Sequence, residues 1–143
     1  MEATASSRAV PDPLTLRFRE ITAMLKPTTP CPAGAVRVRG ASPRGNQRGN
    51  ATLCLLRSKK IAPKTTLITS DATIAVQRLG ELRAMVRIRE VSRGSVARRT
   101  ITGVVYPGSG DFRKSSGSVR GRGTVSFAGG KPKADLTFTF DFD

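Results

Sequence analysis

The chain has no histidine and no tryptophan, one tyrosine, and only two cysteines in 143 residues. Without histidine there are no Ser-His-Asp or Cys-His nucleophilic sites, no histidine proton relays and no histidine metal ligands. Cys31 and Cys54 stand alone, with no second pair to complete a zinc set and no C-x-x-C spacing for redox work. They are read as unpaired thiols, Cys54 as a small core residue between Leu53 and Leu55. A disulfide is the alternative in an oxidising compartment. No apolar run approaches the roughly 18 residues of a membrane span. No apolar signal-peptide segment opens the chain, so it is read as soluble and unprocessed, with no membrane partner. Aromatics make up 5% of the residues, so the core has to be built from Val, Ile, Leu and six Phe.

Acidic side chains are also scarce. Ten Asp and Glu face 25 Lys and Arg, a net charge of +15 with a sequence pI near 11.5. The length fits one compact domain. Like charge at this density destabilises a small fold unless a polyanion neutralises it.

The chain divides into an N-terminal arm over 1–13, small and polar and ending in Pro11-Asp12-Pro13, and one β-rich domain over 14–143. Residues 14–26 carry two periodicities. Leu14, Leu16 and Phe18 alternate with polar residues as in a strand, while Leu14, Phe18, Ile21 and Leu25 follow helical spacing. Asp12 as a cap with Pro13 after it tilts the reading towards a helix. Residues 27–50 hold Pro27, Pro30, Pro32, Pro43, Gly34, Gly40, Gly45 and Gly49 and read as a long basic arm, broken only by the alternation Val36-Arg37-Val38-Arg39. Leu53 to Leu56 and Thr65 to Thr69 read as strands flanking a basic bend at Arg57 to Lys64. A short helix is expected over 70–80, with Ala75, Leu79 and Leu82 on one face.

Strand alternation dominates from Leu82 onward. Leu82, Ala84, Val86 and Ile88 share one parity; Val119, Gly121, Gly123, Val125 and Phe127 share another run; Leu136, Phe138, Phe140 and Phe142 form a third. Val96 to Tyr106 is β-branched on both parities and predicts a strand covered on both faces. Gly129-Gly130-Lys131-Pro132 predicts a hairpin. The expected fold is therefore mainly β: an antiparallel sheet, sandwich or open barrel with one or two short helices and the Pro/Gly-rich arm.

The charge is segregated. No acid lies between Glu20 and Asp71 or between Asp111 and Asp135. Strand spacing puts Arg37 with Arg39, Arg87 with Arg89, and Arg120 with Arg122 on common faces. Arginine outnumbers lysine 18 to 7, and its planar fork suits bidentate phosphate contact. Arg39-Gly40, Arg44-Gly45 and Arg48-Gly49 resemble the flexible arginine-glycine segments that bind RNA. With so few aromatics, base-specific reading is not expected.

Catalytic motifs fail on inspection. Gly108 to Ser115 nearly spells a phosphate loop, but Arg113 takes the second required glycine, so a basic hairpin loop is expected there. Asp135, Asp141 and Asp143 lack the ligand spacing of a calcium loop and are expected to pair with arginines. Neither a metal, a cofactor nor a catalytic residue is assigned. The expectation is a non-enzymatic structural protein that binds RNA or another polyanion through arginine–phosphate contacts in a larger assembly. It would be a viral coat-type subunit in a virion or a cytoplasmic ribonucleoprotein subunit. The nucleic-acid-binding residues expected are Arg37, Arg39, Arg44, Arg48, Arg57, Lys59, Lys60, Arg87, Arg89, Arg120 and Arg122. The alternative is a cationic β module that binds an acidic protein.

Overall fold

A computed structural model describes residues 10–143. It is a closed antiparallel barrel of eight strands in simple meander order. The strands are β1 (Leu14–Leu25), β2 (Ala35–Ala41), β3 (Arg48–Ala62) and β4 (Thr65–Val76), then β5 (Gly80–Arg93), β6 (Val96–Tyr106), β7 (Gly117–Ser126) and β8 (Lys133–Phe142). β8 returns to β1, pairing Phe140 with Leu14 and Leu136 with Phe18. The mainly β, antiparallel expectation holds, but the sheet is closed rather than an open barrel or sandwich. Closure leaves no free sheet edge for another chain to extend.

Eight strands enclose an interior that side chains can fill. Leu16, Phe18, Leu82, Ile88, Ile101 and Phe140 point inward and are at most 1% exposed. Phe18 meets Phe138 edge to face, with ring centroids 5.6 Å apart. The β6–β7 connection folds over one mouth and inserts Phe112, fully buried, beside Phe142 at 6.2 Å. Each large side chain so buried contributes about 1.5–3 kcal/mol relative to an exposed one.

Several local expectations are overturned. Of the two periodicities open at residues 14–26, the strand is realised over Leu14–Leu25 and the tilt towards a helix is not, because β1 closes the barrel between β2 and β8. Asp12 does not cap a helix; its Oδ1 accepts the Phe142 amide at 3.3 Å. Residues 70–76 continue β4, with Ala72, Ile74 and Val76 inward and Ala75 exposed. The only helical segments among the described residues are the 3-10 turns Gly110–Phe112 and Ala128–Gly130. Residues 27–50 do not form one extended arm: they contain β2, fully paired with β1 and β3, between two connections. The basic bend is narrower than expected, since β3 runs to Ala62 and leaves only Pro63 and Lys64 to turn. β6 is not covered on both faces; Val104 is 62% exposed on the outer wall. Of the expected N-terminal arm, residues 1–9 lie outside the described residues.

Cys31 and Cys54 form a disulfide, against the reading as free thiols. Cys54 faces outward between inward Leu53 and the β3 bulge, opposite Ala35 at the start of β2. The β1–β2 connection folds back there: the Gly34 carbonyl accepts the Leu55 amide and the Leu55 carbonyl accepts the Ala33 amide. That brings the two Cα atoms to 5.1 Å, within bridging range. Closing a loop of this length stabilises the fold by about 3 kcal/mol.

Candidate polyanion-binding surface

Strand register aligns the cations of distant segments on the outer wall. Arg57 of β3 stands opposite Thr69, Thr69 opposite Arg87, and Arg87 opposite Thr102. The same row continues through Arg120 to Thr139. One step along the strands, a second row runs Lys59, Leu67, Arg89, Thr100, Arg122 and Thr137 and then reaches Arg17 of β1. Cations thus alternate mostly with threonines around more than half of the barrel. Strands are about 4.8 Å apart and residues i, i+2 about 6.8 Å apart. The two rows therefore form a lattice of positive charge roughly 7 by 10 Å in mesh.

Among the described residues, most side chains in these rows have no acidic partner. Arg120 Nε lies 3.3 Å from Asp141 with both groups well exposed, a contact of small energetic weight. Arg17 differs, donating from Nε and Nη2 to both Asp135 oxygens at 2.8 and 2.7 Å. These hydrogen bonds hold the Asp135 carboxyl below the usual carboxylate range, with the charges of Arg17 and Arg19 adding to them against partial burial. Asp141 and Asp135 thus pair with the protein's own arginines as expected, whereas Asp143 accepts from Ser116 at 3.1 Å.

Arg17 also links two shallow depressions. One, of about 570 Å³, is ringed by Arg17, Arg98, Arg99 and Arg122 with Thr100, Thr124 and Thr137. The other, of about 930 Å³, lies over β1–β3 and includes Arg17, Arg19, Arg39 and Arg48 with Asn50. Of the residues expected from sequence, Arg57, Lys59, Arg87, Arg89, Arg120 and Arg122 come together in the two rows. Arg39 and Arg48 line the β1–β3 groove, where Glu20 approaches Arg39 at 3.9 Å. Arg37 is exposed on β2 in line with Thr52, Thr73 and Arg83. Arg44 is exposed in the β2–β3 connection, and Lys60 at the β3–β4 tip.

Sequence reasoning passed over Arg17, Arg19 and Arg98. The alternation of Arg17 and Arg19 with Leu16 and Phe18 was the available signal, once 14–25 is a strand. Arg99 and Arg83 are structural. Arg99 turns inward and binds Glu90 at 2.7 Å, both side chains largely buried. Arg83 packs 5.6 Å from the centre of the Tyr106 ring. The Tyr106 hydroxyl donates to Asp71, and burial together with that acceptor raises the phenol above its ordinary range.

The near-phosphate-loop Gly108–Ser115 is the β6–β7 connection, with a strand rather than a helix after it. Both cysteines are consumed in the disulfide. Among the described residues, no group of three Cys, Asp or Glu gathers as metal ligands, and no helix is long and apolar enough to cross a membrane. What fold and surface define is a closed meander barrel with a cationic outer wall. Comparison with protein-family models, curated proteins and solved structures finds no match to this chain.

The clip between Arg17 and Asp135 yields a pH-dependent expectation. A carboxyl whose folded pKa is depressed contributes stability above its unfolded value near 3.9, lost as pH falls through the folded value. Protonation there releases Arg17 to an external anion. Asp135→Asn mimics that release at neutral pH and should move heparin-column elution to higher salt while leaving far-UV circular dichroism unchanged. Unchanged elution would mean that Arg17 takes no part in anion binding.

Proposed function

We propose that this protein is a non-enzymatic structural protein that binds RNA through arginine–phosphate contacts on the barrel wall, within a larger assembly. The observation that carries this reading is the pair of aligned rows, which place cations and hydroxyls at regular intervals without an aromatic among them. Arginine forks and threonine hydroxyls are both donors to phosphate oxygens. Without stacking platforms such a wall holds a backbone and tolerates any sequence.

The disulfide supports the coat-type version over a cytosolic ribonucleoprotein, since such bonds persist mainly in oxidising surroundings. Because closure removes sheet edges, subunits of a shell would meet through walls and connections rather than by strand addition.

The test is the salt dependence of binding to a single-stranded RNA. Each released counterion contributes about 0.7 to the slope of log affinity against log salt. Six engaged cations give a slope of about −4. Size-exclusion chromatography with absorbance at 260 and 280 nm should show nucleic acid travelling with the purified protein. A flat salt dependence would sink the RNA reading and leave an acidic protein as the partner to seek.

A further inference from the structure

We propose that one end of the barrel docks on the surface of an anionic lipid bilayer. This end is formed by the connections β1–β2, β3–β4, β5–β6 and β7–β8, which meander topology places together. Six of the seven lysines lie on these connections or on the strand residues beside them: Lys26, Lys59, Lys60, Lys64, Lys131 and Lys133. Only Lys114 is at the opposite end. Among the described residues, six of the eight large exposed hydrophobic ones are here too: Met24, Leu25, Ile61, Leu67, Val96 and Phe127.

The tips are joined rather than independent. The Ser92 amide donates to the Lys64 carbonyl at 2.8 Å, and the Phe127 amide donates to the Ser95 carbonyl at 2.7 Å. Ile61, Val96 and Phe127 therefore ride on one connected surface. The carboxylates closest in sequence to the tips are already engaged, Glu90 by Arg99 and Asp135 by Arg17. Positive charge at this end is thus left for an external partner.

The combination selects the occupant. Apolar tips enter the boundary between headgroups and acyl chains, and lysine stems lie along that boundary with their ammonium groups on anionic headgroups. RNA offers no apolar layer for the aliphatic Ile61 and Val96. A second copy docked end to end would press one set of lysines against another. Surface docking needs no spanning segment, so it is untouched by the sequence expectation of no membrane partner, which rested on the lack of one. It also uses a surface distinct from the arginine rows, except where Lys59 and Leu67 belong to both.

The full chain should sediment with vesicles of roughly three parts phosphatidylserine to seven of phosphatidylcholine at about 0.1 M salt, and not with phosphatidylcholine alone. Ile61→Ser with Phe127→Ser should weaken this partition about tenfold or more. Lys131→Ala and Lys133→Ala should each weaken it about fivefold. All these side chains are exposed, and circular dichroism checks that the variants remain folded. RNA affinity should be unchanged in Ile61→Ser with Phe127→Ser, and vesicle binding should survive loss of the wall arginines, so the two readings fail separately. Absence of sedimentation with the anionic vesicles overturns the proposal. So does sedimentation indifferent to the Ile61 and Phe127 substitutions, which would reduce it to bulk charge. Loss of RNA affinity in that apolar variant would reassign the tips to nucleic acid and overturn it as well.

Discussion

Changing Arg87, Arg89, Arg120 and Arg122 together to Glu is expected to lower RNA affinity at least about a thousandfold and to leave the barrel folded. All four lie on the outer wall with exposed side chains, on strands whose inward residues make the core. Among the described residues, only Arg120 of the four has an acidic partner, Asp141, and that exposed pair carries little stability. The loss comes from two sources. Four charge-assisted contacts disappear, and four carboxylates now face the phosphates. The salt slope should also become shallower by about 3, since each lost contact removes about 0.7. Fluorescence anisotropy with a labelled RNA measures both, and circular dichroism checks the fold. Wild-type affinity in this variant would move the binding surface to the β1–β3 groove, where Arg19, Arg39 and Arg48 gather.

Long, uninterrupted strands were legible in the sequence because inward and outward residues keep one phase throughout. Leu82 to Ile88, Val119 to Val125 and Leu136 to Phe140 show the same alternation in burial as in hydropathy. β1 misled for a specific reason. Its register slips between Phe18 and Glu20 and again between Ile21 and Ala23. The first bulge advances the phase by one residue, so the inward positions Phe18 and Ile21 fall three apart as on a helix, whereas Leu25 stands opposite outward Ala35, is exposed, and shares the helical spacing only by coincidence. β4 misled by composition, since its outward Ala75 happened to share helical spacing with Leu79 and Leu82. Cys54 was assigned to the core from its flanking leucines, yet alternation sends it outward, where the returning β1–β2 connection presents Cys31.

For the candidate surface, pairs within one strand could be anticipated and rows between strands could not. Spacing i, i+2 puts Arg87 and Arg89 on one face whatever the fold. That Arg57, Arg87 and Arg120 fall into line depends on four hairpin registers, each set by turn length and bulges. Arg17 joins only because the barrel closes, 118 residues along the chain from its partner Asp135. Closure of a sheet is a long-range property and leaves no local mark on β1.

The close approach of β8 to β7 explains two glycines that strand propensity disfavours, and the largest effect on stability is expected there. Gly121 and Gly123 hold inward positions of β7, where a core residue would be expected. A Cβ at Gly123 would fall on the Asp135 carbonyl oxygen and lie 2.7 Å from the Leu136 Cα, both backbone atoms of β8. At Gly121 it would lie 2.7 Å from the Thr137 carbonyl oxygen. Backbone cannot step aside without breaking the β7–β8 ladder, so Gly123→Val should destabilise by at least about 4 kcal/mol. Gly129→Ala is the control. It has open space around it but a φ of 75°, so backbone strain alone should cost about 1–2 kcal/mol. Urea unfolding of the two variants separates crowding from conformation, and equal losses would refute the steric account. The functional consequence follows from position. Arg122 stands beside Gly123, and Arg17 clips to Asp135 on the strand that Gly123 touches. A variant that opens this seam should lose the continuity of the second cation row together with its stability, whereas Gly129→Ala should keep wild-type RNA affinity.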